Sequence, residues 1–216
     1  MNIRKDEILS VALKLYNKFG LENVSIRDIV KELKISPGNL TYHFPTQNDI
    51  NFALAQQCVK KIDEALAFGN DNTQKSTLLK FYRQFEIVFE KQLEYEFAFN
   101  KRYAEIIISS PDLQKLAQGI FPSRFDHWLQ LHKQMVKEKT ALPSLKKAGH
   151  SIYHLINILS LYWHQEVNIY YPEFSKEEKI IYGLTIVFQT YKPYLTAKGL
   201  AEIKPLLFKL GRYEVA

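Results

Sequence analysis

Apolar residues recur at three- and four-residue spacing along almost the whole chain, and no stretch alternates apolar with polar as a half-buried strand does. This periodicity predicts an all-α fold. Ile8, Ala12, Leu15 and Phe19, with Tyr16 beside them, give a helix over residues 4–19 that Gly20 closes. Ser25 stands before Ile26, Ile29, Val30 and Leu33, with Asp28 three residues on as an approximate capping box, so a second helix follows at once. Ser36 and Pro37 suit the cap and first position of a third, short helix. Thr46, with Asp49 three residues on, opens a fourth over 46–68, through Ile50, Leu54, Cys58 and Ile62 toward Leu66. After the polar connector 69–74, helices are expected near 74–92, 94–109, 112–138, 144–169 and 175–192, then to about 211.

With 216 residues and 46% hydrophobic content, the chain can fill one large or two small cores. Its start has no apolar stretch behind its charges, no run approaches the roughly 18 apolar residues that span a bilayer, and Cys58 is the single cysteine. A cytoplasmic protein without internal disulfides is expected. A formal charge of +6 suggests an anionic partner, but residues 1–56 hold seven Lys and Arg against six acids, so charge alone does not single out this segment.

The stretch ISPGNLTYHF, residues 35–44, is more informative. At about 100° per residue, Leu40 and Phe44 share the face that packs inward, Gly38, Asn39 and Tyr42 face outward, and Thr41 and His43 lie on the flanks. An exposed amide pairs well with adenine in a DNA major groove, and a glycine lets the backbone come close. Arg27 and the N–H groups at Thr46 and Gln47 are placed to hold phosphates.

Residues 8–50 resemble the N-terminal domain of the TetR/AcrR family of bacterial transcriptional regulators. The likeness rests on aromatic-Gly at Phe19-Gly20, Ser-Ile-Arg-Asp-Ile from Ser25, Ile-Ser-x-Gly-x-Leu from Ile35 and Tyr-His-Phe-Pro from Tyr42. The resemblance implies a helix-turn-helix DNA-binding domain over 1–50 and a larger helical effector-binding and dimerisation domain over 51–216, connected by helix 46–68. It implies a homodimer on a near-palindromic double-stranded DNA operator, acting as a repressor relieved by a small, mostly apolar effector, with no cofactor or metal. The DNA-facing set is then Ser25, Arg27, Ser36, Gly38, Asn39, Thr41, Tyr42, His43, Thr46 and Gln47. Two positions depart from the family pattern: Thr41 stands where Tyr is common, and Gln47 where Lys is common. Each loses a phosphate contact, for which Arg4, Lys5 or Lys34 could substitute.

The second half is rich in aromatics, and Phe81, Phe85, Phe89, Tyr103, Phe125 and Trp128 are candidates to line an effector pocket. Ile152, Leu155, Ile156 and Leu159, then Leu184 and Phe188, form apolar stripes on two late helices of the kind from which the family builds its dimer interface. His150 and His154 at i, i+4, with Glu166 beyond, define the alternative of a metal-dependent hydrolase. A helix-turn-helix interaction module that has lost DNA binding is the other alternative.

Overall fold

The protein is described from a computed structural model covering residues 5–68, 75–99 and 101–210. Among the described residues ten helices run in order: α1 (Lys5–Phe19), α2 (Ile26–Leu33), α3 (Pro37–His43), α4 (Gln47–Phe68), α5 (Thr77–Glu94), α6 (Lys101–Ser109), α7 (Pro111–Lys137), α8 (Ser144–Tyr170), α9 (Lys176–Tyr191) and α10 (Ala197–Leu210). Among the described residues the sole β pairing is an isolated bridge between Ala141 and Leu195. No helix there is long and apolar enough to cross a membrane. The all-α expectation therefore holds, and most breaks fall where Gly, Pro and capping residues put them.

The predicted helix over 94–109 is shorter. Glu96–Phe99 form a separate 3-10 turn and α6 begins at Lys101. The cause is a side chain from far away in sequence. Asn17 on α1 donates from Nδ2 to the Glu94 carbonyl at 2.8 Å and accepts from the Phe97 N–H at 3.1 Å. These two bonds pair the last carbonyl of α5 and an N–H of the 3-10 turn, while Phe97 is buried beside Tyr16, ring centroids 5.5 Å apart.

Two compact units emerge. One comprises the chain through Lys61 together with Glu94–Gln118, and the other Ile62–Leu93 with Gly119 onward. The core of the first gathers Ile8, Ala12, Tyr16, Leu21, Ile29, Leu40, Ile50 and Leu54. On α1 the buried stripe is Ile8, Ala12 and Tyr16, at i, i+4 and i+8, so Phe19 is left half exposed with the Lys18 ammonium 5.0 Å from its ring centre. Cys58 is buried on α4 as a small apolar filler.

The second unit packs α5, α7, α8, α9 and α10 around aromatic rings. Phe81 lies 5.0 Å from Tyr191 and 5.5 Å from Trp128, centroid to centroid, and Phe89 stacks on Trp163 at 4.6 Å. Gly183 makes that stack possible: a Cβ there would sit 2.7 Å from Phe89 Cε2 and 2.9 Å from Trp163 Cε3. Two polar contacts are buried within the same core. Trp163 Nε1 donates to Gln92 Oε1 at 2.6 Å, and His132 Nε2 lies 2.9 Å from the Tyr191 hydroxyl.

Candidate nucleic-acid interface

Ser25 caps α2 with both halves of a capping box: its Oγ accepts from the Asp28 N–H, and Asp28 Oδ2 accepts from the Ser25 N–H at 2.8 Å. The Ser25 hydroxyl also donates to Asp28, and these bonds hold the Asp28 carboxyl below its ordinary range. Arg27, one residue earlier than Asp28, is exposed on the first turn. The α2–α3 turn is made by Lys34, which adopts φ 54 and ψ 42 and sends its N–H back to the carbonyls of Lys31 and Val30. A left-handed residue of this kind closes a helix tightly, and a Cβ there costs on the order of 1 kcal/mol.

Ser36 then caps α3, its Oγ accepting from the Asn39 N–H at 3.2 Å, with Pro37 at the first helical position. Leu40 and Phe44 are buried, each worth roughly 1.5–3 kcal/mol of apolar burial. They fix which way the helix faces. Tyr42 is 83% exposed, Gly38 and Thr41 are exposed, and Asn39 and His43 are half-buried. Nothing lies within 4 Å of where a Gly38 Cβ would be. Thr41 Oγ1 donates back to the Pro37 carbonyl at 3.1 Å, so its hydroxyl serves the helix itself. Tyr42 and His43 meet edge to face at 5.1 Å.

The start of α4 explains the second departure from the family pattern, at Gln47. Thr46 and Asp49 form a second reciprocal cap, Thr46 N–H to Asp49 Oδ2 at 2.8 Å and Asp49 N–H to Thr46 Oγ1 at 3.3 Å. Gln47 turns inward, donating from Nε2 to the Val24 carbonyl at 2.7 Å, so its side chain anchors α4 to the turn before α2 and is not directed at a phosphate. A cation appears elsewhere: the Lys5 ammonium lies 5.7 Å from the Phe44 ring centre, at the end of α3. Arg4 lies outside the described residues.

A family model described as bacterial regulatory proteins of the tetR family matches residues 8–54, and a second, described as bacterial transcriptional repressor, matches residues 59–203. The chain belongs to the TetR family of bacterial transcriptional regulators. Among solved structures, a TetR-family transcriptional regulator from Marinobacter aquaeolei VT8 superposes with TM-score 0.84 at 22% identity, over 96% of this chain and 98% of that one. The ketosteroid regulator KstR2 of Mycobacterium tuberculosis gives 0.65 at 20% identity, over 88% of this chain and 95% of that one. A regulator from Saccharomonospora viridis in complex with choline gives 0.65 at 18% identity, over 87% and 94%. At these identities the likeness is one of fold. Comparison with curated proteins finds no match.

The TetR fold gives the second unit its context, and several expected residues there have another place. Phe81, Phe85, Phe89 and Trp128 fill the core against one another, and Phe125 packs half-buried on Tyr153 and His150 at 5.0 and 4.8 Å. They form a filled interior, because aromatic rings this dense satisfy each other. The Tyr103 side chain lies outside the described residues. A cleft of about 220 Å³ is lined by Asp63, Leu66 and Ala67 of α4 and Ser123, Arg124 and His127 of α7. Residues distant in sequence and mixed in polarity make it, and no local pattern signals it.

Of the expected interface stripe, Ile152, Ile156, Leu184 and Phe188 are buried in their own subunit, Leu159 is half-buried, and Leu155 is exposed. Helix α8 is apolar on two faces, and the stripe read from the sequence straddles them: Ile152 and Ile156 lie on the buried face, while Leu155 joins Ile158, Leu161 and Tyr162 on a face exposed to solvent. His150 and His154 are neighbours, ring centroids 5.0 Å apart, but Glu166 lies elsewhere on α8, hydrogen-bonded to the Tyr182 hydroxyl. Among the described residues no group of three or more His, Cys, Asp and Glu is placed to hold a metal ion. The hydrolase alternative thus has no constellation behind it.

Proposed function

We propose that the protein is a cytoplasmic, homodimeric repressor that reads a near-palindromic operator through α3 and is released by a small effector. One observation carries the reading. In a helix whose Leu40 and Phe44 are buried, the exposed side is Gly38, Thr41 and Tyr42, with open space at Gly38 and two capped helix N-termini at Ser25 and Thr46 beside it in sequence. Asn39 and His43 complete the base-reading set. Arg27, the N-terminal N–H groups around Ser36, Thr46 and Gln47, and Lys5 hold phosphates.

In this reading residues 1–50 are the DNA-binding domain, 51–216 bind effector and dimerise, and α4 connects them. A second subunit covers the face of α8 carrying Leu155, Ile158, Leu161 and Tyr162, since large apolar residues exposed together on one helix face suit an interaction surface. That a structural neighbour holds choline supports a small-molecule effector for this chain. Effector and DNA prefer different states of the dimer, and each weakens the other by the same factor.

The sign of regulation is tested with a reporter gene placed behind the protein's own binding site. Transcription falls when the protein is supplied if it represses, and a rise would assign it to activation.

A further inference from the structure

The cleft on the second unit is built for charge as well as shape. Its walls are apolar at Leu66 and Ala67, and polar at Ser123, Arg124, His127 and Asp63. The cleft has a volume of about 220 Å³ and is open to solvent, with room for a small molecule. Behind the lining, Gln84, buried, donates from Nε2 to the Leu66 carbonyl at 2.9 Å and lies 3.3 Å from His127 Nε2. Burial pulls His127 below its ordinary range, so near neutral pH the imidazole is an uncharged hydrogen-bonding group.

Arg124 is the cation of the site, and its present partner uses it poorly. Its Nε and Nη2 both reach the same oxygen, Asp63 Oδ1, at 3.0 and 2.9 Å. A guanidinium pairs best when its parallel N–H groups meet two oxygens of one carboxylate. The Asp63 side chain is also half in water, where an ion pair gains little. A carboxylate entering the cleft with both oxygens toward the fork would outcompete Asp63, while a short apolar tail lay on Leu66 and Ala67.

We propose that the cleft binds a small carboxylate with an apolar tail, that Arg124 is its anion partner, and that Asp63 is a latch the ligand displaces. Asp63, Leu66 and Ala67 lie near the end of α4, the helix that starts four residues after α3 ends. Displacement therefore cuts a tie between α4 and α7 on a helix directly continuous with the DNA-reading segment. This regulatory half rests on the proposed function; the binding half does not.

The test uses the full chain with benzoate, and with benzamide as its uncharged counterpart, read by thermal shift and titration calorimetry. The expected result is that benzoate binds and benzamide does not, that Arg124→Gln loses the difference, and that Asp63→Asn binds benzoate more tightly, by up to about fivefold, because the competing carboxylate is gone. Equal responses to the two compounds, an unchanged response in Arg124→Gln, or weaker binding in Asp63→Asn would each overturn the site. Without benzoate, Asp63→Asn is also expected to hold DNA less tightly than the parent chain, and equal affinity would overturn the latch. If the parent chain retains no DNA at all, the regulator reading fails, while the benzoate results still decide the site.

Discussion

Gly38 is the residue at which structure and DNA recognition separate most cleanly. It is exposed on the first turn of α3, and an added Cβ would meet nothing within 4 Å. Alanine is the better helix former by up to about 1 kcal/mol. Gly38→Ala is therefore expected to leave thermal stability unchanged or slightly raised, yet to weaken DNA binding, because the methyl occupies the space the groove must enter. Fluorescence anisotropy on an operator fragment, alongside a melting curve, checks both halves; a variant that binds as tightly as the parent would remove Gly38 from the interface. Gln47 teaches the reverse lesson. Its residue type suggested a weakened phosphate contact, and the fold shows its amide holding the Val24 carbonyl.

At the scale of the element, two glycines that look alike in sequence behave oppositely. Gly119, inside α7, has nothing near its absent Cβ, so Gly119→Ala is expected to stabilise the protein by about 0.5–1 kcal/mol. Gly183, on α9, faces Phe89 and Trp163, and Gly183→Ala is expected to cost about 1–3 kcal/mol through overpacking. Denaturant titration of both variants checks the contrast, and shifts of the same sign would contradict it. The helices themselves were largely legible in the sequence. Caps at Ser25, Ser36 and Thr46, and the Leu40–Phe44 face, depend on neighbours within four residues. The 3-10 turn Glu96–Phe99 and the late start of α6 at Lys101 were not, because Asn17 holds the Phe97 N–H from 80 residues away. Likewise α8 carries two apolar faces, and periodicity alone does not say which one a second subunit covers; the structure assigns Ile152 and Ile156 to the interior. A charge on the other face tests the remainder: Ile158→Glu is expected to give a monomer by light scattering, and an unaltered dimer would place the interface elsewhere.

At the scale of the whole molecule, acid stability follows from two buried imidazoles. Burial brings His132 down to about 4; burial and, secondarily, the Lys179 ammonium do the same for His164. Unfolded, each takes up a proton near pH 6.5, so between about pH 6.5 and 4 the unfolded chain binds more protons and stability falls as pH falls. Each group contributes on the order of 3 kcal/mol over that window. Melting temperature is expected to drop from pH 7 to pH 4.5, and less so in His132→Gln, whose amide stays uncharged; identical pH profiles would contradict this. The surfaces of the second unit were the least legible part of the chain. The cleft draws its lining from α4 and α7, 61 residues apart at the Asp63–Arg124 pair, and such pairs leave no local pattern.

The central claim is that this chain reads DNA sequence through α3 as a dimer. Selection of binding sites from random DNA by the purified protein, at low and near-physiological salt, tests it most directly. A near-palindrome with half-sites about one helical turn apart, lost when Tyr42→Ala replaces the parent, is the expected result. DNA retained at low salt with no enriched sequence, or no DNA retained at either salt, would contradict it.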